Sequence, residues 1–96
     1  MIERNKIIQI ARDVATANLT SAAVRDVISE PAIDSEGREA LRITIVIKPG
    51  APARLKGDAV LDTLVQIQNR LRDAGEERFP IIEYATEEEL QESGDS

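Results

Sequence analysis

The stretch Leu41-Arg42-Ile43-Thr44-Ile45-Val46-Ile47-Lys48 decides the fold. Leu41, Ile43, Ile45 and Ile47 alternate with Arg42, Thr44, Val46 and Lys48, the two-residue period of a strand with one face in a core. Upstream, Ile33-Asp34-Ser35-Glu36-Gly37-Arg38 is built from turn formers. Before that turn, Val24 to Glu30 fits either a helix or a strand. Its β-branched residues and the following Pro31 favour a strand. Two strands joined by a short loop carrying a glycine read as an antiparallel hairpin.

Helical patterns flank the hairpin. Ile7, Ile10, Ala11, Val14 and Ala15 recur at spacings of three and four, predicting an amphipathic helix from about Glu3 to Asn18. Downstream, Pro49-Gly50-Ala51-Pro52-Ala53 breaks the strand. A second helix is expected from about Asp58, as its N-cap, to Ala74, with Gly75 at the left-handed C-terminal position. Its predicted buried stripe is Val60, Leu61, Leu64, Val65, Ile67, Gln68 and Leu71. Ile81 to Ala85 reads as a third strand. Thr86 and Glu89 then have the spacing of a capping box, opening a short helix to about Glu92 with a frayed tail after it. The order α-β-β-α-β plus a short C-terminal helix gives an α+β two-layer sandwich, with a small sheet and helices on one side. Residues 1–86 would form the domain, and residues 87–96 an acidic appendix. Over about the first 85 residues this element order resembles that of the type II KH domain. The Gly-x-x-Gly clamp of those domains has no counterpart, because Gly50 and Gly57 lie seven apart, and the nucleic-acid function is not carried over.

The chain of 96 residues contains no Cys and no His, one Phe and one Tyr. Disulfides, thiol nucleophiles, imidazole bases and ordinary zinc sites are therefore excluded. The core must be aliphatic and thinly stocked, so self-association or a partner is expected to add buried area. No apolar run reaches the roughly 20 residues that span a bilayer. Gln9, Arg12 and Asp13 interrupt the N-terminal apolar stretch, which argues against a secretory leader and for a cytoplasmic protein. The net charge of −6 is uneven: Asp73 to Ser96 holds nine acids and one base, while the first 72 residues hold nine acids and eleven bases. A body at +2 thus carries an end at −8.

Two groups of residues are candidates for function. An anion site would draw on Arg54, Lys56 and Gly57 ahead of the second helix, with Arg42 and Lys48 on the sheet, because free N–H groups and the helix dipole favour negative charge. The P-loop spacing is absent. An interface would draw on Thr44 and Val46 on the central strand, Tyr84, and the acids Glu87, Glu88 and Glu89. Those three acids also suit a helix N-terminus. Asp34, Glu36 and Glu39 cluster near Gly37 without the spacing of a calcium loop, and read as a turn rather than a metal site. Neither a cofactor nor a metal is expected. The sequence points to a non-enzymatic interaction or regulatory module, as a homodimer or with a protein partner. The alternative is a domain that binds phosphate ligands or nucleic acid through the basic loop and sheet face.

Overall fold

A computed structural model describes residues 2–20, 22–50 and 57–94. The described elements are helix α1 (Arg4–Leu19), strands β1 (Val24–Ile33) and β2 (Glu39–Ile47), helix α2 (Gly57–Asp73), strand β3 (Phe79–Thr86) and helix α3 (Glu87–Gly94). The three strands make one mixed sheet in the order β1-β2-β3. β1 and β2 are antiparallel, with Val27 opposite Ile45 and Pro31 opposite Leu41. β2 and β3 are parallel, with Ile43 beside Ile82 and Ile47 beside Thr86. Parallel neighbours need a crossover rather than a hairpin, and α2 is the helix of that crossover. The α+β reading with an antiparallel hairpin therefore stands, and the ambiguous segment after Val24 is a strand.

One face of the sheet builds the core. Leu41, Ile43, Ile45 and Ile47 pack with Val24 and Val27, with Ile7, Ile10, Ala11, Val14, Ala15 and Leu19 of α1, and with Ile67 and Leu71 of α2. The five α1 residues that the spacing predicts are all buried, and Leu19, one residue past the predicted end of the helix, joins their stripe. The opposite face departs from the expectation of a solvent-washed polar surface. On it Ala40, Thr44 and Val46 are buried, and Arg42 is the exposed side chain of the central strand. The physical reason is position. Thr44 lies between Ile28 and Glu83, and Val46 between Asp26 and Ala85, so both are walled in by neighbouring strands.

The connections are made by identifiable side chains. In the hairpin turn the Asp34 carboxylate accepts from the backbone N–H groups of Glu36 and Arg38, both at 2.9 Å, and Gly37 takes φ +84°. α2 ends as expected at Gly75, with φ +97°. There the Glu76 N–H donates to the Leu71 carbonyl at 2.9 Å and the Gly75 N–H to the Arg72 carbonyl at 3.0 Å, which is a Schellman motif. The capping box also forms: Glu89 Oε1 accepts from the Thr86 N–H at 2.9 Å, and the Glu89 N–H donates back to Thr86 Oγ1 at 3.3 Å. That cap splices α3 directly onto β3, and the helix continues through Gly94, past the expected end.

The α2 stripe needs correction. Thr63, Ile67 and Leu71 are its fully buried residues, whereas Leu61 and Val65 are exposed. Thr63 enters the core because its hydroxyl donates to the Ala59 carbonyl at 2.7 Å, which leaves no polar atom unpaired. Asp58 lies in the first turn of the helix, not at its cap.

Candidate functional site

Of the residues picked out for anion binding, the structure describes Gly57, Arg42 and Lys48. Arg54 and Lys56 lie outside the described residues, and Gly57 is the first described residue of α2. Arg42 and Lys48 are six residues apart along β2 and its end, which is roughly 20 Å of extended chain. Arg42 Nε is 3.6 Å from Glu83 Oε1, and Glu30 is its cross-strand neighbour on β1. Two carboxylates thus flank the one exposed cation of the central strand, and they compete with any incoming anion.

The residues picked out for an interface fall into three situations. Thr44 and Val46 are buried within their own sheet. Tyr84 is half-buried against the core, and its hydroxyl donates to the Val60 carbonyl of α2 at 3.3 Å. Burial pushes its phenol up, with a hydrogen bond involving Thr63 acting the other way. Among the acids, Glu87 pairs with Arg25 of β1, Glu89 closes the capping box, and Glu88 is exposed. The acidic end is therefore not one uniform arm: its first turn is committed to local structure. Nor do the acids near the hairpin gather into a ligand set. Asp34 serves the turn, Glu36 pairs with Arg38 at 2.8 Å, and the described residues contain no group of three that would hold a metal ion.

The sequence reading missed Glu76, a strongly perturbed carboxylate among the described residues. Glu76 has no exposed side-chain surface. Its carboxylate accepts from Arg78 Nε and Nη2, both at 2.9 Å, from the Arg78 backbone N–H at 3.0 Å, and from the Ile2 N–H at 3.1 Å. The bidentate bond to Arg78 is the main reason its pKa falls to about 2. Burial opposes that fall, and the two backbone donors add to it. The pair ties the start of the chain to the α2–β3 connection. All its partners are spent internally, so it is a clamp rather than a reaction centre. One sequence signal marked it: Arg78 is the single base in the acidic quarter, two residues beyond Glu76.

With the polar groups accounted for, the unfinished surface is apolar. Among the described residues the exposed large hydrophobic side chains are Ile33 (66%), Leu61 (59%), Phe79 (59%) and Val65 (44%). Phe79 is the only Phe in the chain, and it opens β3. It lines two depressions. One, of about 560 Å³, lies at the hairpin end of the sheet with Ile33, Ile81, Glu39 and Glu77. The other, of about 100 Å³, lies between α2 and β3 with Gln68, Leu71 and Arg72. Leu61 and Val65 form an i, i+4 pair on α2.

Two hydrogen bonds orient that helix. Gln66 accepts from Asn18 of α1 at 3.0 Å, and Val60 accepts from Tyr84 of β3 at 3.3 Å. Going round the helix from Gln66 through the core-facing Thr63 and Ile67 to Val60, the next sector is that of Leu61 and Val65. Both therefore lie on a sector of α2 turned away from α1 and from the core.

No helix among the described residues is long and apolar enough to cross a membrane. No family model, curated protein or solved structure matches the chain, so the likeness to type II KH domains rests on element order alone.

Proposed function

We propose that the chain is a non-enzymatic cytoplasmic interaction module that acts by associating with a second copy of itself or with a protein partner. One observation carries this reading. Among the described residues the exposed large apolar side chains fall into two pairs: Leu61 and Val65 share one face of α2, and Phe79 lines a depression with Ile33 at the hairpin end of the sheet. Exposed apolar groups that share a face or a depression mark an association surface more than scattered ones do.

Sedimentation equilibrium from about 1 to 100 µM tests the proposal, a range that brackets weak and moderate complexes. A mass that climbs above the 10.5 kDa of one chain supports it. A constant 10.5 kDa, together with no stoichiometric protein partner in affinity capture from the native host, overturns it. The alternative of phosphate or nucleic-acid binding leans on Arg54 and Lys56 and predicts binding at low salt that is lost when both become Ala.

A further inference from the structure

The interaction reading leaves the partner open, and the outer edge of β3 narrows it. We infer that this edge and the adjoining face of α2 take a second copy of the same chain, two-fold related, with β3 against β3 and α2 antiparallel to α2. The inference rests on the interaction reading and names its surface and its occupant.

Among the described residues β1 and β3 are the edge strands of the sheet, and they are not equivalent. β1 is blunted along its length. Its register slips between Val24 and Asp26, Pro31 removes a donor, and Asp26 and Glu30 are charged. These are the ordinary devices that keep an edge from pairing. α1, the helix on that side, has no exposed large apolar residue. β3 pairs with β2 without any register shift, its Pro80 is confined to the second position and the Thr86 N–H is taken by Glu89, which leaves Ile81 to Ala85, with the one charge of Glu83, as a regular edge. The helix beside it presents Leu61 and Val65 outward.

The α2 face is self-complementary in one orientation. Asp58, Leu61, Val65, Gln68 and Arg72 follow one another at spacings of three and four, so they share a stripe. Its centre is apolar, its N-terminal end is acidic and its C-terminal end is basic. A parallel pairing would set Asp58 against Asp58 and Arg72 against Arg72. An antiparallel pairing about Val65 sets Asp58 of each helix beside Arg72 of the other, with Val65 against Val65 and Leu61 against Gln68. A two-fold axis normal to the sheet at the β3 edge produces that antiparallel arrangement. Pairing the strands and burying the stripes are therefore one geometric operation, and the interface is isologous. A continuous six-stranded sheet with four helices on one face results.

The test uses the full chain and its mass in solution at about 100 µM, well above the dissociation constants of weak homodimers. The wild type is expected at twice 10.5 kDa. Leu61→Asp and Val65→Asp, each checked for unchanged circular dichroism, are expected at the single-chain mass, while Ala17→Asp, on the exposed face of α1, is expected to stay dimeric. Asp58→Arg weakens the dimer about tenfold, and adding Arg72→Asp restores it to within a few-fold. A dimer that survives both Asp variants overturns this inference and leaves the interaction reading standing. A wild type that remains a single chain also overturns it, and the broader reading then falls or stands on a different partner. Failure of the double reversal to restore association overturns the antiparallel arrangement.

Discussion

α1 and α2 lie on the same face of the same sheet, yet they treat their apolar residues differently. Ile7, Ile10, Ala11, Val14, Ala15 and Leu19 of α1 are all buried. α2 buries Thr63, Ile67 and Leu71 but leaves Leu61 and Val65 outside. α1 sits over a blunted edge strand that ends its side of the molecule, and α2 sits beside a regular edge that does not. The difference teaches that a small aliphatic core can be complete on one side and still carry unspent apolar surface on the other. That surface is where association gains most.

The comparison breaks most sharply at the core. Ile10→Ala on α1 is expected to cost about 3 kcal/mol of folding stability in urea titrations, because a buried side chain leaves a cavity. A cost below about 1 kcal/mol would mean that the α1 side is less tightly packed than its burial implies. Next in size is the clamp. Glu76→Gln keeps the shape but removes the charge facing Arg78, and is expected to cost about 2 kcal/mol. The pH dependence has a definite sign. The folded-state pKa of Glu76 lies at about 2, below its ordinary value of 4.5, so its contribution is fully present above pH 4.5. It is lost as pH falls from 4.5 towards 2. Denaturant midpoints measured across that window should fall less steeply in Glu76→Gln than in the wild type.

How much of this was legible in the sequence depended on how local the determinant was. The β2 alternation, the α1 stripe, Gly75 and the Thr86–Glu89 box all act within a few residues, and each appears in the fold as read. The α2 stripe was misread because its apolar residues occupy two adjacent sectors of one helix. Spacing alone cannot say which sector is covered, and tertiary context decided for Ile67 and Leu71 over Leu61 and Val65. Thr44 and Val46 were read as exposed because a two-residue period reports two faces. It does not report that β3 returns to flank β2 in parallel, which is a non-local event. Arg42 and Lys48 looked like one basic face, but the register puts Glu30 and Glu83 beside Arg42.

Two smaller effects sharpen the comparison. Thr86→Ala opens the cap between β3 and α3 and is expected to cost about 1 kcal/mol, read by thermal denaturation. Leu61→Ala, measured on dilute protein, is expected to change folding stability by less than about 0.5 kcal/mol, in contrast to Ile10→Ala on the opposite helix. A loss of 2 kcal/mol or more at Leu61 would mean that α2 is as fully packed as α1.

Amide hydrogen exchange on the full chain, at about 1 µM and about 100 µM, tests the central claim most directly, because protection reports which backbone edge gains a partner. The account predicts slower exchange at the higher concentration in β3, from Ile81 to Ala85, and around Leu61 and Val65, with the exchange of β1 unchanged. Concentration-dependent protection along β1, or exchange of β3 that is the same at both concentrations, would contradict it.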